Sequence, residues 1–523
     1  MALDAPNSHL FTAAELIMSF EKRSVEFAPP TAFGSGTQDY ELMPIRARHL
    51  ERNGQVLLTS CVGDHQIVSS NEYRLIVARE LEKSIELFKN LRSRHMVCDR
   101  DSGPLFQAIE AQTRTRKNHV TQGPALHIFV LTLRCDHRCL YCQVTPQKLS
   151  ACGFDMDWPT AQLALDRVFE SRAEVLTIEF QGGEAALSFD LLCRIVEAGE
   201  ERAAREQRTV RFVITTTLHL LDPDQLAFCR DHSIELSTSL DGPDFVHNAN
   251  RPNATRDSWQ RTIAAIKRAG EICGKEHVSA LTTVSRFSLP HARAIIDTYV
   301  EAGLETISLR PISPFGFAVK SVRKLGYTAQ EFMQFYKEAI EYLIELNLQG
   351  IQLEETYASL LLTRILTPFP TSYVDLQSPA AAGHNVLVYN YDGGVYVSDE
   401  GRMLAEMGDD RFRMGTVKQS LAELQASPAM KIINTHGIAE ELSGCRDCAF
   451  VPYCGADPVF HVATQGDPAG DRSTSEFCQR QTEYFELFFD YIAKNDRDTM
   501  SVFLSWITRK PLSDLVSARR GAV

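Results

Sequence analysis

Residues 126–143 read LHIFVLTLRCDHRCLYCQ, an apolar, β-rich run that passes straight into three closely spaced cysteines. Five more runs of the same texture follow: VLTIEFQG (175–182), TVRFVITTT (209–217), IELSTSL (234–240), VSALTTV (278–284) and TISLRPI (306–312). Segments of helical periodicity lie between them. In DWPTAQLALDRVFESR (157–172), Pro159 suits a first helical turn, and Leu163, Val168 and Phe169 recur on one face. LSFDLLCRIVEAGEERAAREQ (187–207), SWQRTIAAIKRAGEIC (258–273) and LPHARAIIDTYVEAG (289–303) read the same way. Strands alternating with helices imply right-handed βαβ units and a parallel sheet. Six such units are too few to close an eight-stranded barrel, so the fold class is α/β with a partial (β/α)6 TIM-like barrel. Chemistry is then expected at the carboxy-terminal ends of the strands.

The chain has 523 residues, 54 Lys and Arg against 67 Asp and Glu, and a net charge of −13. With 44% hydrophobic and 23% charged residues it is ordinary globular material. No apolar run approaches the ~18 residues that span a bilayer, and MALDAPNSHLFTAAELIMSF at the start lacks a basic segment before its apolar stretch. A cytoplasmic protein with no membrane partner is expected. The acidic balance argues against nucleic acid, whose phosphates need clustered Lys and Arg.

Outside the barrel the texture changes. YELMPIRARHLERNGQVLLTSCVGDHQIVSS (40–70) reads as a meander with a turn at Asn53-Gly54, and the helical NEYRLIVARELEKSIELFKNLRSR (71–94) follows. After the barrel come a long helix, TAQEFMQFYKEAIEYLIELN (328–347), a Pro-rich connection and a hairpin, VLVYNYDGGVYVS (386–398). The expected organisation is a small α+β amino-terminal domain over 1–122, the barrel over 123–330, a helical linker over 331–380, a cysteine-rich domain over 381–485 and a helical tail over 486–523.

Thirteen cysteines are unevenly placed. Cys61, Cys98, Cys152, Cys193, Cys229 and Cys273 stand alone and read as small buried hydrophobes. Cys135, Cys139 and Cys142 form one group, and Cys445, Cys448, Cys454 and Cys478 another, which points to metal or redox chemistry rather than disulfides. Three thiolates in a C-x3-C-x2-C spacing can grip one face of an iron–sulfur cubane and leave its fourth iron open to a ligand. The alternative is a zinc ion completed by a residue such as His137. Four thiolates in the second group suit either zinc or a closed cluster.

The C-x3-C-x2-C motif, with Tyr141 before its third cysteine and placed just after the first barrel strand, resembles the signature of the radical S-adenosylmethionine (radical SAM) enzymes. The resemblance implies that Cys135, Cys139 and Cys142 hold a [4Fe-4S] cluster whose open iron chelates S-adenosyl-L-methionine. It also implies that one electron cleaves this cofactor to methionine and a 5′-deoxyadenosyl radical, which abstracts a substrate hydrogen. Gly182-Gly183-Glu184 matches the family's Gly-Gly-Glu motif, with Ala185 where Pro is usual; its carbonyls and carboxylate would receive the cofactor's ammonium group. Thr215 and Thr216 end the third strand, where relatives carry Thr-Asn-Gly. Ser239-Leu240-Asp241-Gly242 resembles the family's fourth-strand motif, in which Ser239 would bond the ribose and the downstream Arg251 the methionine carboxylate. A guanidinium fork suits a carboxylate.

The second cysteine group resembles the SPASM extension of peptide-modifying radical SAM enzymes, which carries two auxiliary clusters. Here Pro458 stands where that pattern has a cysteine, Val397-Ser398-Asp399 stands where relatives have a Pro-Cys pair, and only Ala382-Gly383 lies near the upstream cysteine position. The resemblance therefore implies one auxiliary [4Fe-4S] cluster, fully ligated by Cys445, Cys448, Cys454 and Cys478, with a structural cluster or zinc as the alternative. In the sulfatase-maturating relatives the corresponding Asp is a proton acceptor, which nominates Asp399 as general base. The plainer reading of SDEGRM (398–403) is a solvated turn.

Taken whole, the chain most resembles the maturases of the His-Xaa-Ser peptide system, through YELMPIRARHL, the cluster motif, SDEGRM and the reduced cysteine set. The resemblance implies a ribosomally made precursor peptide or protein as substrate and an electron donor such as flavodoxin or ferredoxin. Residues 1–122 have the size and texture of a winged-helix domain that could take a leader as an edge strand, or of a plain cap. Two other functions remain: a radical enzyme acting on a small metabolite or carbohydrate, and a non-catalytic scaffold that retains its clusters.

Overall fold

All six β-rich runs form strands, and hydrogen bonding places them side by side in chain order. The structure is a computed structural model that describes residues 40–50, 54–99, 103–371 and 373–515. Asn53 of the expected turn, residues 1–39 and residues 516–523 lie outside the described residues. The chain divides into two compact units, residues 1–113 with 488–523, and residues 114–487.

In the first unit, β1 (Tyr40–Leu42) pairs antiparallel with the later β5 (Val97–Asp99). β2 (Ile45–Leu50), β3 (Gln55–Ser60) and β4 (His65–Ser69) form the expected meander. Ser69 and Glu72 make a reciprocal capping box that starts the helix Ser70–Val77. Val56, Leu58, Val68, Leu81, Leu87, Leu91 and Met96 share one core.

The second unit holds the barrel. β6 (Leu126–Thr132), β7 (Val175–Gly182), β8 (Thr209–Thr215), β9 (Glu235–Ser239), β10 (Val278–Thr283) and β11 (Thr306–Arg310) are parallel neighbours. Helices cover their outer face. Trp158–Glu170, capped by Asp157, buries Ala161, Ala164, Leu165, Val168 and Phe169 against the sheet, while Leu163 is only half-buried. Each large apolar side chain buried this way contributes about 1.5–3 kcal/mol.

The sheet continues past the six strands. Short β12 (Glu354–Glu355) adds in parallel to β11. At the other edge β13 (Val386–Tyr389) adds in parallel to β6, and the hairpin partner β14 (Gly394–Tyr396) and β15 (Arg413–Thr416) follow antiparallel. The hairpin expected over 386–398 is present, and it joins the barrel sheet. Its attachment to β6 satisfies an edge that would otherwise leave backbone donors and acceptors unpaired, and a 3.0 Å contact between His127 Nδ1 and Tyr389 Oη links the two strands.

Two local readings need correction. SDEGRM is not a solvated turn: Ser398 caps the helix Asp399–Glu406, and Gly401 to Met403 are buried. Cys61, in the turn after β3, and Cys152, in the loop before Asp157, are exposed rather than buried. No helix among the described residues is long and apolar enough to cross a membrane.

Candidate active site

β6 delivers Cys135 to the carboxy-terminal mouth of the barrel, and the loop that follows is pinned from both sides. Cys135 N donates to Gln147 O at 3.1 Å, Arg138 N to Pro252 O at 3.0 Å, Leu140 N to Asn250 O at 2.9 Å and Phe317 N to Cys142 O at 2.7 Å. Gly316, at φ +59°, passes so close that a Cβ there would sit 2.4 Å from Gln143 O. Cys139 is 8% exposed, and burial pushes its thiol up to about 12 and that of Cys135 higher still. Such thiols ionise when a metal takes the place of the proton.

His137 does not serve as a fourth ligand. Its Nδ1 lies 2.9 Å from Asp136 Oδ1 and its Nε2 2.8 Å from Ser258 Oγ, so both nitrogens are engaged. Asp136 Oδ2 meets His219 Nε2 at 2.9 Å from the far side. With His137 engaged elsewhere, the three cysteines suit a cluster with one open iron better than a closed zinc site. Nothing local in the sequence announces His219, which reaches Asp136 from beyond the end of β8.

The close of β7 is zipped to this loop by backbone alone. Gly183 N donates to Thr132 O at 2.7 Å and Glu184 N to Arg134 O at 2.8 Å. A Cβ on Gly182 would lie 2.0 Å from Thr132 O, and one on Gly183 would lie 2.3 Å from Arg134 O. Here the glycines are required by approach, not by a turn.

Glu184 is engaged by the protein itself. It is fully buried, and its carboxylate accepts from Ala186 N at 3.0 Å, Thr216 Oγ1 at 2.5 Å, Thr217 N at 2.7 Å and Thr217 Oγ1 at 2.6 Å. Two carboxylate oxygens offer about four acceptor sites, so these are filled and none is left for an ammonium group. Glu184 and Thr216 instead lock the end of β7 to the end of β8. Thr215 likewise donates to Glu179 Oε1 at 3.0 Å.

Tyr141, Asp241 and Arg251 come together under the cysteine loop. Arg251 Nη1 donates to Tyr141 Oη at 3.0 Å, and Tyr141 Oη donates to Asp241 Oδ1 at 3.1 Å. Arg251 Nε and Asp241 Oδ2 are buried without a partner. Burial pushes Asp241 up to about 6 even with the Arg251 cation nearby. Ser239, at the end of β9, is half-buried on the same strand-end surface.

Residues 129–285, which hold these strand ends, match the Radical SAM superfamily. The similarity to that superfamily covers this stretch of the barrel. It is 22% identical over 371 residues to the cysteine-type anaerobic sulfatase-maturating enzyme of Clostridium perfringens (strain 13 / Type A), covering 68% of this chain and 93% of that one. Among solved structures, native anSMEcpe with bound AdoMet and Kp18Cys peptide superposes with a TM-score of 0.58 at 19% identity, covering 71% of this chain and 99% of that one. Streptococcus suis SuiB bound to precursor peptide SuiA superposes with a TM-score of 0.52 at 15% identity, covering 83% and 98%. At these identities the likeness is one of fold.

Beyond residues 129–285, Cys445, Cys448, Cys454 and Cys478 all line one small cavity with Arg472, Phe477 and Phe485. The three His, Cys or acidic residues whose ligand atoms all fall within 4.8 Å of one another, among the described residues, are Asp136, His137 and His219. Four thiols around one cavity suit a closed cluster or a single zinc ion. Pro458, where a further cysteine was conceivable, opens the helix Pro458–Gln465.

A second cavity, of about 90 Å³, opens at the end of β11. Arg310, Tyr373, Asp375, Glu400, Asp457 and Arg480 are among its walls. Asp399 is not. It accepts from Arg402 Nε at 3.2 Å and is largely buried. Its neighbour Glu400 faces the cavity, and burial, with Asp399 and Asp375 close by, pushes its carboxyl up to about 7. The sequence reading missed Glu400, although the Asp-Glu pair was in view.

Proposed function

We propose that the chain is a maturase that modifies a ribosomally made peptide or protein by radical chemistry. The observation that carries the reading is the convergence at one barrel mouth of Cys135, Cys139 and Cys142, the bare Gly182–Gly183 backbone and the Tyr141–Arg251–Asp241 group, with a polar cavity at the neighbouring strand end. When bound there, a [4Fe-4S] cluster with S-adenosyl-L-methionine supplies a carbon-centred radical that abstracts hydrogen.

The chain's own residues do the rest. The three cysteines hold the cluster and their pinned loop fixes its place. The Gly182 and Gly183 carbonyls receive the ammonium end of the cofactor, Arg251 its carboxylate and Ser239 its ribose, with Tyr141 holding Arg251. Thr215, Thr216 and Glu184 keep the strand ends in register. Glu400, on the wall of the cavity beside β11, takes a proton from substrate lying there, with Asp399 next to it in the chain as the alternative acceptor. Cys445, Cys448, Cys454 and Cys478 hold an auxiliary cluster.

The test begins with iron and zinc per chain after anaerobic reconstitution, in the wild type and in a Cys135/Cys139/Cys142→Ala variant. About eight iron falling to about four is expected. Candidate precursor peptides are then incubated with reduced enzyme and examined by mass spectrometry. A peptide changed in mass, with 5′-deoxyadenosine formed alongside, supports the reading. Cofactor cleavage that responds to a small metabolite and to no peptide overturns it.

A further inference from the structure

Arg472 is 9% exposed and lines the same cavity as the four carboxy-terminal cysteines, yet its Nε and Nη2 have no hydrogen-bond partner. Two unpaired N–H groups on a buried cation are costly unless an acceptor meets them. The surroundings show that the placement is built. Arg472 Nη1 donates to His461 Nε2. His461 itself lies 2.6 Å from Asp457 O through Nδ1 and 2.9 Å from Ser475 Oγ through Nε2. Since a carbonyl only accepts, Nδ1 carries the proton and Nε2 is the acceptor.

Two glycines make room. A Cβ on Gly444, beside Cys445, would stand 3.1 Å from Arg472 Cβ, and one on Gly470 would stand 2.1 Å from His461 Cδ2. The arginine stem thus packs against Gly444, the residue before the first cysteine of the set, with one end of the guanidinium tied to His461 and the rest facing the cavity.

We propose that Arg472 is a positioning residue for the carboxy-terminal cluster that sets its reduction potential, turning two N–H donors and a positive charge toward the cluster's sulfurs. Charge and hydrogen bonds to sulfur are the levers by which a protein moves such a potential, and both act here in the same direction. They stabilise the reduced, more negative state, so the cluster accepts an electron more readily. The inference rests on the auxiliary-cluster reading above.

The experiment is an EPR-monitored redox titration in the Cys135/Cys139/Cys142→Ala background, where the carboxy-terminal site alone can hold iron. The wild-type residue is compared with R472K, R472Q and R472M, and iron, zinc and sulfide are counted for each. R472M and R472Q are expected to keep about four iron per chain, with the midpoint moved to more negative potential. R472K, which keeps the charge, should lie between them and the wild type. H461Q, which loosens the tie on Nη1, should move the midpoint in the same direction by less.

An unchanged midpoint in R472M and R472Q with iron intact overturns the proposal. Loss of iron from R472K, R472Q and R472M alike also overturns it, because Arg472 would then be an assembly residue. Zinc without iron in the background protein overturns the auxiliary-cluster reading itself, a result that differs from either of those.

Discussion

Arg402 donates from Nε to Asp399 Oδ1 at 3.2 Å, while its Nη1 and Nη2, on a side chain 1% exposed, have no partner. Asp399 is therefore the counter-charge of a buried guanidinium as well as a candidate proton acceptor. Removing the carboxylate leaves Arg402 uncompensated, which costs about 3–5 kcal/mol. D399A should accordingly lose stability and function together. D399N keeps an oxygen for Nε and should separate the two roles: stability recovers, and a fall in product formation of about 10²–10⁴-fold with 5′-deoxyadenosine still formed would mark Asp399 rather than Glu400 as the proton acceptor. Chromatography of both products from one reaction checks this.

Glu400 carries its own signature. A carboxyl held at about 7 acts as a base only once deprotonated, so product formation should rise as the pH passes through about 7. In E400Q that rise should vanish. A profile unchanged in E400Q would leave Asp399 as the proton acceptor.

Glu184 should matter first for stability. Its loss in E184A strands the Thr216 hydroxyl, the Thr217 hydroxyl and the Thr217 N–H in the interior. The expected cost is about 3 kcal/mol or more, read as a lower urea midpoint with an unchanged slope.

Gly183 tests the zipped strand ends. The added methyl in G183A would sit 2.3 Å from Arg134 O and 2.5 Å from Leu133 O, backbone atoms that yield only by moving the residues before Cys135. Iron content should fall by about four per chain with the far-ultraviolet circular dichroism retained.

Acid should destabilise the fold through its buried histidines. His119 and His461 are held down at about 4 and His127 at about 3, in each case mainly by burial. These groups are neutral in the folded state and bind protons more readily when unfolded, near 6.5. Their stabilisation is present above about 6.5 and lost as the pH falls toward 4. The urea midpoint should drop across that window, less steeply in H127Q.

Much of this was legible in the chain because the signals are local. The six strands, their order and the cysteine-bearing loop follow from short apolar runs, helical periodicity and fixed spacing, each set by neighbours within a few residues. What was misread depends on distant partners. SDEGRM is polar by composition, yet Ser398 caps a helix whose first turn is buried, and no local pattern distinguishes that from a solvated loop.

The sequence alone therefore determined the α/β barrel, the two cysteine groups and the strand ends where chemistry gathers, since backbone propensity and ligand spacing are properties of contiguous residues. Only the tertiary structure decided which polar groups are already satisfied. Glu184 is saturated by Thr216 and Thr217, His137 is tied to Asp136 and Ser258, and Arg472 is left with two free donors beside four thiols. Hydrogen-bond capacity is finite and directional, so a side chain's availability depends on partners that folding brings from elsewhere in the chain.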